Sequence, residues 1–289
     1  MSSSFFENAK RTTIRAIYSS PRLKNELVLK GGNLLSLVFG VITRASIDLD
    51  FSIEAELAVA EIAGELNLVL DQEFAKQAYR VIDLNVVEVP PMVSDDLKDF
   101  WGGYQIRFKL VDAQTWLAHQ DDPAGLRRNA RRLLPNGSPT FKIDISKYEY
   151  CSGKESFVME GVEGFGYSPE MMICEKLRAV CQQMPSYRQL VRKHLAGRAR
   201  DFVDICDLAE QYHVNFANAE FRHTLQRVFQ VKRVPLLLLR EIEGHSEDHR
   251  ADFAEIVSTV SAGVVLQSFD YYVDYVVRRC RELEPLGDE

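Results

Sequence analysis

The sequence predicts an α+β protein: a mixed α/β head followed by an α-helical C-terminal domain. Three observations support this. Short alternating apolar–polar runs crowd the first half. The second half carries helical periodicity almost without interruption. Between the two halves lies a glycine-rich stretch, Gly161-Val-Glu-Gly-Phe-Gly166. We therefore expect one domain over residues 1–167 and a second over 168–289.

In chain order, Leu27-Val28-Leu29 is a short apolar run that ends at Gly31-Gly32. Asn33-Leu-Leu-Ser-Leu-Val-Phe then reads as a short helix capped by Asn33. Residues 47–53, IDLDFSI, alternate with the period of a strand, and a helix follows over about 54–70. Strands are expected at 81–89 and 104–111, on either side of Pro90-Pro91. A segment rich in Ala, Leu and Arg predicts a helix over 112–134. Pro135-Asn136-Gly137 resets the chain, and residues 141–145 form another alternating strand. Ser168-Pro169-Glu170 combines a hydroxyl cap, a proline at the first helical position and an acid in the first turn, which together mark a helix start. Helical patterns then cover 170–184, 186–212, 217–229, 233–243, 247–262 and 266–283.

Composition narrows the function. The chain has 289 residues, 46% of them hydrophobic, enough for one large core or two modest ones. No apolar run is long enough to span a bilayer, and the first twenty residues lack a secretory leader pattern, so a cytoplasmic location with no membrane partner is expected. The five cysteines form no C-x-x-C pair, which points to reduced, packed thiols. A formal charge of -7 argues against nonspecific coating of nucleic acid. Two basic clusters, Arg127, Arg128, Arg131, Arg132 and Arg188, Arg192, Lys193, Arg198, Arg200, still allow a local RNA-binding face; a solvated helix face would account for the first equally well.

The chemistry begins at Asp48 and Asp50. Two apart in a strand, they project from one face, and such carboxylates repel unless a cation lies between them. Magnesium suits them because it takes a few carboxylates together with substrate phosphates. The plain alternative is the solvated face of an edge strand. Gly31-Gly32 ahead of a helix would expose backbone N–H groups to a phosphate, or could be an ordinary turn. Asp144 shares a face with Lys142. If its strand neighbours 47–53, three carboxylates surround one metal site of the kind used in phosphoryl transfer; otherwise Asp144 pairs with Lys142. His245 and His249 stand one helical turn apart, but no glutamate follows His245 as a zinc protease motif requires, so Ser246 as a helix cap is the better account.

Taken in order, these residues resemble a family. Leu29-Lys30-Gly31-Gly32-Asn33-Leu34 and Arg44-Ala-Ser46-Ile-Asp48-Leu-Asp50-Phe51 are similar to the signature of the AbiEii/AbiGii-type (MenT-like) nucleotidyltransferase toxins of the DNA polymerase β-like superfamily. Glu175-Lys176-Leu177-Arg178-Ala179 resembles that family's lysine-bearing helix, and Arg198-Ala-Arg200-Asp201-Phe-Val-Asp204 its R-D-x-x-D segment. The resemblance implies a polymerase β-like mixed-sheet head and magnesium held by Asp48 and Asp50, with Asp144 as third carboxylate. It implies a triphosphate cradled by Gly31, Gly32 and Asn33, with Arg44 and Ser46 near the phosphates. Lys176 would contact the triphosphate, and Asp201 would position the base or a partner side chain; both are expected to be catalytic. Without the resemblance, Lys176 reads as exposed helix charge and Asp201 and Asp204 as local partners of Arg198 or Arg200. Asn33 and Leu34 depart from the hydroxyl and small residue common in the family, which bears on nucleotide choice. The implied activity is transfer of a nucleotide monophosphate from an NTP to an RNA hydroxyl, with the tRNA acceptor end favoured, in a toxin–antitoxin or phage-defence system with a cognate antitoxin as partner. Protein or small-molecule hydroxyls, and a non-catalytic nucleotide- or RNA-binding module, are the rival readings.

Overall fold

The computed structural model describes residues 2–41, 48–132, 137–191, 195–259 and 265–284. The chain divides into two compact units. One comprises Met1–Gly31, Ile47–Tyr148 and Ser156–Gly166; the other comprises Gly32–Ser46, Glu149–Glu155 and Tyr167–Glu289.

The first unit opens with a helix that the sequence reading did not anticipate, α1 (Ser2–Ser19). Phe6, Ala9, Lys10, Thr13, Ile14 and Ile17 are buried and recur at three- and four-residue intervals, and Thr12, Ala16 and Tyr18 widen the buried face. Lys10, Thr12 and Thr13 are polar, which blurs the stripe in the sequence. The short α2 (Pro21–Glu26) follows, with Ser20 accepting from the Leu23 N–H at 3.1 Å and proline at its first position. After β1 (Val28–Lys30), α3 (Gly31–Leu37) starts at Gly31 itself. Asn33 is thus the third residue of the helix and fully buried, not its cap. The remaining strands are β2 (Leu49–Ser52), β3 (Tyr79–Val89), β4 (Gly103–Asp112), β5 (Phe141–Ser146), β6 (Lys154–Met159) and β7 (Val162–Tyr167), with α4 (Val59–Ala75) between β2 and β3.

Where a single helix over 112–134 was expected, two short ones form, α5 (Ala113–His119) and α6 (Pro123–Arg128). Asp112 and Asp122 cap them, accepting from the N–H groups of Thr115 at 2.8 Å and Gly125 at 2.9 Å. Pro123, which cannot continue a helix from upstream, supplies the break.

The seven strands form one mixed sheet in the order β3-β4-β5-β2-β1-β7-β6. β2 is antiparallel to β1 and parallel to β5, while β4 is antiparallel to both β3 and β5. Alternation gives the sheet two different faces. One presents Leu29, Leu49, Phe51, Tyr104, Ile106, Phe108, Phe141, Ile143 and Ile145, all buried. Phe108 stacks on Phe141 at 5.1 Å between ring centroids, and Phe74 of α4 and Phe6 of α1 pack on this pair. The other face carries Lys30, Asp50, Gln105, Arg107, Lys142 and Asp144.

Most of the glycine-rich stretch at 161–166 lies in strand β7, and the first unit ends at Gly166. Glu160 and Gly161 make a two-residue turn with φ of 50° and 83°. Gly164 is required by close approach, since a Cβ there would lie 2.6 Å from the Tyr18 ring. Tyr18 Oη in turn donates to the Phe165 carbonyl at 2.5 Å and accepts from the Leu29 N–H at 3.0 Å, which ties α1 to β1 and β7.

The second unit is built on α7 (Pro169–Cys181), which is buried along nearly its whole length. Ser168 caps it as the sequence predicts, accepting from the Met171 N–H at 3.2 Å. The other helices are α8 (Pro185–Val191), α9 (Ala199–Gln211), α10 (Ala219–Gln230), α11 (Glu247–Thr259) and α12 (Phe269–Arg281). α7 packs against α9 and α10, and α9 packs against α11 and α12. The expected run over 186–212 divides into α8 and α9, and the stretch expected as a helix over 233–243 is a 3-10 turn at Leu236–Glu241. Among the described residues, no helix is long and apolar enough to cross a membrane.

Candidate active site

The strand register brings the sequence-predicted carboxylates together. Asp50 lies opposite Asp144 across the parallel β2/β5 pair and opposite Lys30 across the antiparallel β1/β2 pair. On the far side of β5, Asp144 lies opposite Gln105. Register partners project to the same side of a sheet, so Lys30, Asp50, Asp144 and Gln105 form one row across four strands. One step along the same face, Lys30 Nζ donates to Ser146 Oγ at 3.1 Å.

Asp48 stands one residue before β2 and is half-buried. Burial pushes its carboxyl above the usual range; Lys142 opposes that shift and the Asp144 carboxylate adds to it. A raised value here is what crowded, partly desolvated carboxylates produce.

Gly31 packs against the row at Asp50. Its φ is +71°, in the left-handed region, and a Cβ at this position would lie 2.3 Å from Asp50 Oδ2. The Asp50 carboxylate therefore rests against the bare backbone of Gly31, which explains why a glycine stands beside this acid.

Among the described residues, no three His, Cys, Asp or Glu side chains already converge as a metal cage. The donor chemistry nonetheless fits magnesium. Asp48, Asp50 and Asp144 are hard oxygen donors on one half-exposed face, and magnesium commonly takes only one or two carboxylates, completing its shell with water and substrate phosphate. Arg44 and Ser46 fall outside the described residues.

Lys176 and Asp201 lie in the helical unit, where they meet each other. Lys176 is buried in α7; its Nζ donates to Asp201 Oδ1 at 3.0 Å and to Asp204 Oδ2 at 2.5 Å, both from α9. Burial works against its charge, but the two carboxylates outweigh burial and hold the amine protonated. Asp201 is held below its usual range, its burial outweighed by Lys176 and then Arg198, which stands 3.6 Å away. Lys176 is thus a committed ion-pair partner, not exposed helix charge. The spacing Asp201-x-x-Asp204 puts both acids on the α9 face that meets α7, one turn apart.

Sequence reasoning missed Gln105, Lys30 and Ser146. Their signal was register, which only the fold supplies. A second buried cluster was also missed: Arg178 binds Glu149 through two nitrogens at 2.7 and 3.2 Å and the Val228 carbonyl at 3.0 Å, with Lys232 3.5 Å from Glu149. The two histidines do not converge. His249 is buried against Phe202, while His245 pairs with Asp248 at 3.4 Å. The Ser246 hydroxyl donates to the Glu243 carbonyl of the preceding turn and does not serve as the expected cap.

The class of protein that carries this mixed sheet and helical second unit is a nucleotidyltransferase, as the family match shows. The chain belongs to the AbiEii nucleotidyl transferase toxin family of type IV toxin–antitoxin systems, whose signature matches residues 14–275. Among solved structures it resembles a candidate nucleotidyltransferase from H. pylori, at 16% identity and a TM-score of 0.50, covering 99% of this chain and 98% of that one. It also resembles JHP933 from Helicobacter pylori, at 17% identity and a TM-score of 0.47, covering 97% and 91%. At such identities the likeness concerns the fold. A comparison with the curated proteins finds no match.

Proposed function

We propose that the protein transfers a nucleotide monophosphate from an NTP onto an RNA hydroxyl, with tRNA as the acceptor and magnesium as the cofactor. The acceptor oxygen forms a bond to the α-phosphorus, the bond from that phosphorus to the bridging oxygen breaks, pyrophosphate leaves, and the hydroxyl proton is released. The observation that carries this reading is the register of Asp50 against Asp144, with Asp48 beside them and Gly31 giving Asp50 its room.

Asp48, Asp50 and Asp144 would hold magnesium, whose chemistry is to neutralise phosphate charge and lower the pKa of the attacking hydroxyl. The chain's own residues do the rest. Lys30 sets positive charge at one end of the row. The backbone from Gly31 through Gly32 and Asn33 would receive the triphosphate, with Arg44 and Ser46 as further phosphate contacts. Lys176 is the triphosphate's cation in this reading, and reaching it requires Lys176 to exchange one of its two carboxylates for phosphate. Asp201 then orients what Lys176 holds. Residues 1–167 act as the catalytic head, residues 168–289 as its helical companion, and the cognate antitoxin answers the resulting activity in the cytoplasm.

A protein or small-molecule hydroxyl is the second reading. It is favoured by the fate of one basic cluster: Arg127 is paired with Asp83 at 2.9 Å and Arg128 faces Asp122 at 3.6 Å. Incubation with each labelled NTP, magnesium and total tRNA, followed by separation of RNA from protein, distinguishes the two. Label in RNA supports the first reading and label in a protein band the second. Label in neither, with no calorimetric heat for magnesium–NTP binding, leaves a non-catalytic scaffold.

A further inference from the structure

Gln105 faces Asp144 across the β4/β5 pair, and its Nε2 donates to Asp144 Oδ1 at 2.8 Å. Among the described residues this amide is the one hydrogen-bond donor to the Asp144 carboxylate. A side-chain amide could equally present its oxygen, which would repel a carboxylate, so its orientation needs a cause. Arg107 supplies it. Two residues along β4 and on the same face, its Nε donates to Gln105 Oε1 at 2.6 Å. With the oxygen engaged by a guanidinium, the NH2 group must face Asp144.

The choice of an amide has a chemical consequence. A lysine or arginine bonded directly to Asp144 would neutralise it and compete with a metal for both oxygens. A neutral amide fixes the carboxylate plane through Oδ1 while leaving its negative charge intact and Oδ2 open on the same face as Asp50. We infer that Gln105, oriented by Arg107, is a positioning residue that sets the rotamer of Asp144 for divalent-cation binding. This rests on the reading of Asp48, Asp50 and Asp144 as the metal-binding row. Outer partners of ligating carboxylates typically change metal affinity by about 10–100-fold when removed.

The test is Mn2+ binding, followed by electron paramagnetic resonance and calorimetry, to the full chain with a non-hydrolysable NTP analogue. Gln105→Leu, which keeps the volume and removes the amide, should weaken Mn2+ binding about tenfold or more with the thermal midpoint preserved. Arg107→Leu, at an exposed position that the fold does not depend on, should weaken it less, about threefold, because the amide loses its orientation but not its presence. The two effects should not add. Arg107→Leu should cost nothing further once Gln105 is leucine, because Arg107 acts only through the amide.

Mn2+ affinity of Gln105→Leu within twofold of the native protein would overturn the inference. So would an Arg107→Leu loss that persists undiminished in the Gln105→Leu background. Asp144→Asn separates this from the underlying reading. If Asp144→Asn binds Mn2+ as the native chain does, or the native chain binds none, the metal-binding row itself is wrong and the inference falls with it. If Asp144→Asn loses binding and Gln105→Leu does not, the inference alone fails.

Discussion

Two acidic clusters, one in each unit, use the same residue type to opposite ends. In the sheet, Asp48, Asp50 and Asp144 share a half-exposed face, and burial together with Asp144 makes the charge on Asp48 costly. In the helical unit, Asp201 and Asp204 are buried, and Lys176 lies between them within hydrogen-bonding distance of both. The second cluster carries its own cation, which bonds one oxygen of each aspartate and leaves Asp201 Oδ2 and Asp204 Oδ1 buried without a hydrogen bond. The first is held in place by backbone register and by a glycine, with Lys30 opposite Asp50 and Lys142 acting on Asp48. The difference predicts that removing a sheet carboxylate costs activity and spares stability, whereas removing Lys176 from the helical cluster costs stability as well as activity.

The largest expected effect follows directly. Asp48→Asn should bring nucleotide transfer to background while its thermal midpoint stays level or rises, because the substitution removes a charge that the fold disfavours. A drop in midpoint of several degrees would show that Asp48 is structural and would erase the contrast. Its counterpart is Lys176→Met. Removing the cation leaves two buried carboxylates facing each other, which typically costs about 3–5 kcal/mol. Urea unfolding monitored by circular dichroism reads this. A loss under about 1 kcal/mol would place the pair among exposed ion pairs of little worth and contradict its burial.

Gly31→Ala sharpens the comparison, since it touches the sheet cluster through backbone alone. Alanine at φ +71° is strained, and its Cβ would meet Asp50 Oδ2 at 2.3 Å. Strain of this kind costs on the order of 1–3 kcal/mol, and the Asp50 carboxylate must also turn away. Both midpoint and transfer should fall, unlike the pattern for Asp48→Asn. A Gly32→Ala control tests whether the φ at Gly31 is responsible. If both variants behave alike, the specific packing of Asp50 on Gly31 is not what the glycine serves.

The sheet face was largely legible in the sequence, because alternation fixes which side chains share a face before any strand is placed. Asp48, Asp50 and Asp144 could be grouped on that basis, given the one assumption that their strands are neighbours, and β2 does pair with β5. Partners set by register alone were invisible: Gln105 and Lys30 carry no local signal linking them to Asp144 and Asp50. Helix α1 escaped because Lys10 and Thr13 interrupt its buried stripe. The strand within Gly161–Gly166 was hidden because glycine marks turns far more often than a strand pressed against a tyrosine ring. Lys176 shows the converse limit. The R-D-x-x-D spacing signals that two acids share a helix face, but only the packing of α7 on α9 reveals that the face is closed around an amine.

The smallest effect lies at the margin of the helical cluster and tests whether its charge balance ends at Asp204. Asp207, one turn further along α9, is partly buried, and burial followed by the Asp204 carboxylate pushes its pKa up to about 6. Tyr272 of α12 is influenced by it as well. In the unfolded chain an aspartate titrates near pH ~4. Between those values the native state holds a proton that the unfolded state has released. The stabilising contribution is therefore present in full below about pH 4 and is lost as pH rises through about 6. Asp207→Asn removes the titration. It should raise stability at pH 7 by about 1 kcal/mol, because water screens a part-exposed carboxylate and reduces the roughly 3 kcal/mol that a fully enclosed one would carry. Near pH 4 it should leave stability unchanged. Urea midpoints of both proteins across this range measure the difference directly. Equal gains at both ends would mean the amide acts by packing, and no gain at pH 7 would mean that the carboxylate reaches water and that Lys176 compensates the whole acidic face of α9.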